Sequence, residues 1–549
     1  MTTFHWLDWI LLGSFGAGLV AVVLWSLLQR EETTSDYFLA GRNAGWISIG
    51  SSIFASNIGS EHLVGLAGAG FVSGMAMAHW EIHAWLILVL GWVFVPFYDR
   101  IRVFTMPEFL EHRFSAPSRS ILSLISLVSY VLTKVAVTVY AGGVVFKTVF
   151  GIESIGGIDF FWISAVGLVV LTGIYTVLGG MKAVMYTSVL QTPVLLVGSI
   201  VILIAGLVKV GGWSEVVAIC GPKLKLVRSA ADPEFPWTGV LFGSAIIGFW
   251  YWCTDQYIVQ RVLSGRNQHE CRRGTILAGY FKLLPVFIFL IPGMIAYALN
   301  QKGLLSLPLD AAGNPMGDSA FASLVAQLLP IGFKGIVVAG LLAALMSSLA
   351  SLFNSSAALF TTDFYKKFRP EAGEKRLVLV GRIATATVVV LGVVWIPVMQ
   401  GLGNVLYRYL QAVQGLLAPA IAAVFIMGVF WKRASAAGGL WGLIVGFSLG
   451  MFRLYLDIVK ESLSRDGLLY GIADINWLHY CEFLFILCIA VIIVVSLLSK
   501  PPTPENQRYT YGAATPEERA ATRASWNRWD VIHTSIILGV VVIFYAYFW

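Results

Sequence analysis

Residues 54–70 read FASNIGSEHLVGLAGAG. They sit in the middle of an apolar run, 46–72, that is long enough to cross a bilayer, which takes about 20 residues. Ser56, Asn57, Gly59 and Ser60 interrupt that run where a spanning helix should be most uniform. Gly, Ser and Asn weaken a helix because they free the backbone or compete for its hydrogen bonds. Unwound backbone at membrane depth is tolerated only where it lines a cavity or meets an ion. Glu61 and His62 follow directly, and a charged group inside a span normally faces a cavity or a partner. A helix-packing face of small residues is the plainer reading of the Gly and Ser positions, but it does not call for Glu61 and His62. The stretch therefore predicts a discontinuous membrane helix.

The rest of the chain agrees. Of 549 residues, 58% are hydrophobic and 12% are charged, and the formal net charge is +7. Soluble domains carry about 25% charged residues, so the composition excludes an ordinary soluble enzyme, and disorder is excluded by the excess of apolar residues. The apolar runs leave no basic domain for nucleic acid, and the positive balance reads as basic cytoplasmic connections. About fourteen candidate spans follow. They lie near 6–28, 46–72, 76–98, 119–149, 158–179, 184–208, 237–260, 274–299, 320–362, 379–400, 404–430, 437–458, 475–498 and 529–548. The span at 320–362 is too long for one straight crossing, so part of it should lie outside the bilayer or kink. The first run is too long for a signal-peptide core and reads as a retained helix. Lys and Arg concentrate on alternate connections, which predicts that both termini face outside, in a multi-pass protein of the plasma (inner) membrane. The segment 500–528, with Pro501, Pro502 and Pro504, then reads as a cytoplasmic loop. There is no phosphate-binding glycine–lysine motif, no nucleophile–base pair and no metal-ligand spacing among the five cysteines. An enzyme or an ATP-driven pump has no support, and a transporter driven by an ion gradient is favoured over a channel or scaffold.

Two further clusters share the character of the first. Residues 344–351 read ALMSSLAS, followed by Asn354, Ser355 and Ser356, an oxygen-rich stripe on one apolar helix. Hard cations take oxygen ligands, and neutral hydroxyls suit a weakly held monovalent ion. The competing reading has these hydroxyls bonding back to their own helix. Residues 250–256 read WYWCTDQ. Aromatic faces stack on the apolar face of a pyranose ring, and carboxylate, amide and ammonium groups bond its hydroxyls. An interfacial aromatic belt is the alternative, weakened by the adjoining Asp255 and Gln256. Other charged residues within spans include Glu81, Lys134, Lys282 and Arg408.

Together these stretches resemble the sodium/glucose cotransporters of the sodium–solute symporter family. The matching segments also include TMPEFLEHRF (105–114), GGMKAVMYT (179–187), GYFKLLPVF (279–287) and PAIAAVFIMGVFWKR (419–433). The resemblance implies an all-α polytopic membrane protein with a LeuT-like fold of two five-helix inverted repeats. On this chain the division is a leading helix and linker at 1–45, repeats at 46–208 and 237–430, an outer loop at 209–236 and C-terminal helices at 431–549. The implied sodium ligands are the backbone carbonyls of Ala55, Ile58 and Ala344 and the hydroxyls of Ser347 and Ser348. The implied solute site comprises His62, Glu81, Lys282 and Gln411, with Tyr251 stacking from the cytoplasmic side and Trp252 lining the same pocket. Leu66, Trp80 and Tyr407 fall at the outer gate, and Tyr251 at the inner one. His62 and Gly248 fall at sugar-site positions that vary among members. The implied function is symport of sodium with a monosaccharide, with myo-inositol, or a sugar-gated sensor or leak on the same fold, as alternatives.

One position departs from the pattern. Many sugar-transporting members carry an aspartate where MYTSVLQT has Ser188; Ser351, its hydroxyl partner, is present. Without that carboxylate a second sodium would lack its countercharge. The expectation is one sodium per solute.

Overall fold

The computed structural model describes residues 4–28, 32–59, 61–310, 313–400 and 406–549, with the side chains of 406–409 among a few left outside that description. The chain is almost wholly helical, apart from an antiparallel ribbon pairing Ser154–Ile155 with Ile158–Asp159. Ten helices among the described residues are long and apolar enough to cross a membrane. The expected count of about fourteen differs for physical reasons. Three expected spans, at 46–72, 119–149 and 237–260, are interrupted, and two are joined in Phe160–Val210. That run has 51 residues. At 1.5 Å per residue it would extend about 76 Å, against a bilayer core of about 30 Å. It bends at Gly180, whose φ of 48° and ψ of −147° suit glycine alone. The segment 320–362 is likewise two pieces, Ala320–Leu328 and Phe333–Leu359, separated around Pro330 and Gly332.

The broken stretch forms as expected. Helix Trp46–Asn57 ends where Ile58 turns extended, with φ −81° and ψ 105°. The chain resumes in a wide helical turn, Glu61–Leu66, and continues as Ala67–Val72. A second break lies at Asp255, between the wide turn Trp250–Thr254 and helix Gln256–Leu263. Wide turns of this kind collect at functional sites, because they re-aim consecutive side chains.

Small residues let these helices approach closely. A Cβ on Gly50 would lie 2.9 Å from the Gly274 carbonyl, which sets Trp46–Asn57 against Gln268–Lys282. A Cβ on Gly340 would lie 3.2 Å from the Leu195 Cα, which seats Phe333–Leu359 on Phe160–Val210. On another face, Arg113 of Met106–Arg113 donates to the carbonyls of Gly428, Trp431 and Ala434 at 2.7–2.9 Å. It thereby caps the end of Leu406–Phe430. The segment 500–528 docks on neighbouring helix ends: Tyr509 stacks on His112 at 4.9 Å, Arg100 donates to the Thr510 carbonyl, and Arg272 donates to Ser525 Oγ at 2.7 Å.

Candidate functional site

The two breaks face a shared buried region. His62, Glu81, Tyr251, Trp252, Lys282 and Gln411 all line one cavity of about 40 Å³. Each comes from a different local device. His62 is the second residue of the wide turn after the first break, and Glu81 ends the short helix Ala78–Glu81. Tyr251 and Trp252 sit in the wide turn before the second break, with rings 4.9 Å apart at 81°. Lys282 ends Gln268–Lys282, and Gln411 lies in the first turns of Leu406–Phe430.

Two of the charges lining this cavity are paired with each other, and the Glu61 carboxylate lines it as well. Lys282 Nζ donates to Glu81 Oε2 at 2.5 Å, and both side chains are at most 4% exposed. His62 Nε2 lies 3.3 Å from the same oxygen and 3.3 Å from Asn57 Nδ2. The Lys282 ammonium also sits 5.3 Å from the centre of the Trp252 ring. A lone buried charge costs several kcal/mol, so this pairing keeps the closed site stable. Gln411 Oε1 is buried and has no hydrogen-bond partner among the described residues. The walls present an acid, an ammonium, an amide and an imidazole beside two aromatic faces, a set that complements hydroxyl groups on an otherwise apolar ring.

Three lining residues escaped sequence reasoning, His83, Leu410 and Gln414, whereas Asn57 and Glu61 come from the interrupted stretch already expected to line a cavity. Gln414 lies one helical turn beyond Gln411, a spacing that could have found it. His83 bonds Ser244 at 3.2 Å and occupies the space beside Gly248, where a Cβ would fall 2.6 Å from its Nδ1. At the expected outer gate, Leu66 and Trp80 are buried. Trp80 stacks on Trp477 at 5.7 Å and 17° and meets the edge of Phe235 at 6.2 Å, two partners not foreseen. The Tyr407 side chain, like Arg408 and Ser60, lies outside the described residues.

Of the expected ion ligands, Ser347 and Ser348 lie buried beside the first break. Ser347 and Ser348 are 1% exposed. A Cβ on Gly59 would lie 2.9 Å from Ser348 Oγ, so the unwound backbone abuts that hydroxyl. Ser347 Oγ is 3.3 Å from Ser188 Oγ, and Ser348 Oγ is 3.2 Å from Tyr257 Oη. The end of Trp46–Asn57, bearing Ala55, supplies terminal carbonyls that lack intrahelical donors. These neutral oxygens fit a monovalent hard cation. Ser351 is engaged elsewhere, its Oγ 2.6 Å from Ser56 Oγ.

A model of the sodium:solute symporter family matches residues 37–446. The chain is 38% identical over 517 residues to sodium/myo-inositol cotransporter 2 of Oryctolagus cuniculus, covering 88% of this chain and 76% of that protein. It is 38% identical over 544 residues to sodium/glucose cotransporter 4 of Danio rerio, covering 92% and 81%. The solved substrate-bound outward-open state of a Na+-coupled sialic acid symporter aligns with a TM-score of 0.74 over 91% of this chain and 99% of that one, at 23% identity. The fold is LeuT-like.

Proposed function

The chain belongs to the sodium:solute symporter family, a multi-pass sodium-coupled transporter, and from that premise we propose that it carries a glucose- or galactose-type monosaccharide into the cell with one sodium ion. The observation that supports this most is the single cavity in which Glu81, Lys282, His62 and Gln411 face the rings of Tyr251 and Trp252. At about 40 Å³ the cavity is far smaller than the roughly 300–1,000 Å³ of pockets that hold drug-sized ligands. Its walls must part to admit a hexose. The solute's hydroxyls then take over the bonds that Glu81 and Lys282 now spend on each other.

Sodium, a co-substrate, would be held by the carbonyls of Ala55, Ile58 and Ala344 with the hydroxyls of Ser347 and Ser348. Holding it would join the end of Trp46–Asn57 to Phe333–Leu359 and order the pocket beside it. Leu66, Trp80 and Tyr407 close the outer side; Tyr251 closes the inner side. Ser188 offers a hydroxyl where a second cation would need a charge, which supports one sodium per solute. The reading places repeats at 46–208 and 237–430, each opening on a broken span, and both termini outside the plasma (inner) membrane.

The second reading is a polyol, myo-inositol, as cargo. It is supported by a relative named for that solute at the same 38% identity as one named for glucose. Uptake of radiolabelled glucose and, separately, of radiolabelled myo-inositol into proteoliposomes, with and without an inward sodium gradient and with unlabelled galactose as competitor, tests both readings. Sodium-driven glucose accumulation blocked by galactose supports the first reading. Accumulation of labelled myo-inositol alone supports the second. Equal uptake in potassium would sink sodium coupling.

A further inference from the structure

We infer that Lys134 is a positioning residue that couples the sodium site to the inner solute gate through Tyr257 and Tyr251. The inference rests on the symport reading above and adds the part that links its two sites.

Lys134 lies in the wide turn Tyr130–Val135 and is 7% exposed. Its ammonium donates to Asp255 Oδ2 at 3.0 Å, and Tyr130 donates to the other carboxylate oxygen. Asp255 is the break residue of the second discontinuous span, and its side chain also accepts from the Tyr257 amide at 3.3 Å. The ammonium is ringed by aromatic faces. Ring centres lie 4.6 Å away for Tyr257, 4.7 Å for Tyr251, 5.3 Å for Tyr130 and 5.4 Å for Trp250. A cation within about 6 Å of a ring centre is attracted to it, and more strongly when dry. One ammonium therefore holds several rings in register.

Two of those rings reach different sites. Tyr251 lines the solute cavity. Tyr257 donates its hydroxyl to the Ser56 carbonyl and lies 3.2 Å from Ser348 Oγ. Ser56 directly follows Ala55, and Ser348 is one of the proposed sodium ligands. A cation that draws Ser348 Oγ toward itself competes with the Tyr257 hydroxyl for that oxygen. The Tyr257 ring then shifts against Lys134, and the ammonium passes that shift to Tyr251. A pair that served packing alone would have no reason to contact a ring from each site.

Binding of D-glucose and of myo-inositol to the purified full chain, measured in sodium and in choline, tests this alongside ²²Na binding. Two-site coupling commonly amounts to roughly 5–150-fold, and the wild type should bind its solute at least about fivefold more tightly in sodium. Removing Lys134 alone would strand Asp255, so the variant used is Lys134→Met with Asp255→Asn, which stays neutral and keeps a capping side chain. It should bind ²²Na and solute separately with a sodium-to-choline ratio of about 1. Lys134→Arg should restore the ratio, an outcome that loss of packing would not produce. Tyr257→Phe removes one oxygen and should lower the ratio by itself, which covers failure of the double variant to fold. A wild-type ratio in either the double variant or Tyr257→Phe overturns the relay alone. A wild type indifferent to sodium for both solutes overturns the symport reading with it.

Discussion

The two broken spans solve the same problem in opposite ways. At the first, near Ile58 and Gly59, the hydroxyls of Ser347, Ser348 and Ser188 lie within a few ångströms of one another, and the Glu61 carboxylate stands beside the same backbone. At the second, Asp255 caps the following helix with a full charge, and a tethered ammonium, Lys134, answers it at 3.0 Å. In the proposed reading one break leaves oxygens for a cation that comes and goes; the other carries its own ammonium. The difference teaches that a discontinuity in a membrane helix is not itself an ion site. What matters is whether the chain supplies the countercharge.

Removing that countercharge should give the largest effect. Asp255→Ala leaves Lys134 buried without its salt-bridge partner, and should destabilise the fold by about 3–5 kcal/mol. Thermal unfolding in detergent reads this directly; a melting temperature equal to wild type would erase the contrast between the breaks. Gln411→Ala touches neither break. It should weaken solute affinity by roughly 5–100-fold, the range for one buried hydrogen bond, and leave sodium activation unchanged. Ser348→Ala, at the first break, should shift half-activation by sodium by about tenfold with little loss of stability, since a hydrogen bond is worth about 1 kcal/mol. An unaltered sodium curve removes Ser348 from the ion site. The subtlest change is Ser188→Asp, which adds a carboxylate beside Ser347 at the first break. The reversal potential should then move from one charge per solute toward two; a wild type already at two would show that the first break holds a second ion without a carboxylate at position 188.

How much of this was legible followed from what residue types alone demand. Ser, Asn and Gly in an apolar run announce a break, and 54–62 was read correctly because no uniform helix wants those residues. The run WYWCTDQ likewise announced buried chemistry. Trp250 and Trp252 prove 4% and 3% exposed, rather than sitting in a lipid-facing belt. The family followed from the same stretches. Lys134 was visible only as a charge within a span, because its cage joins residues more than a hundred positions apart. Trp477 against Trp80 was invisible for the same reason. The wide turns left no mark either, as no side chain requires them. Gly180 could be read as a glycine, but its unusual backbone angles could not.

The ion pair that closes the cavity has an electrical consequence. Glu81 and Lys282 lie 2.5 Å apart and their charges cancel, so the pair adds no net charge to the empty pocket. A monosaccharide or polyol entering between them adds none either. The membrane voltage therefore has little purchase on this pair when the carrier returns empty, and acts on the step that moves the cation. For one ion and a potential of 100 mV, that contributes about 2.3 kcal/mol, or roughly a 40-fold gradient of solute. Because that pair neutralises itself, the cell's voltage acts through the other charges that move, the bound cation among them.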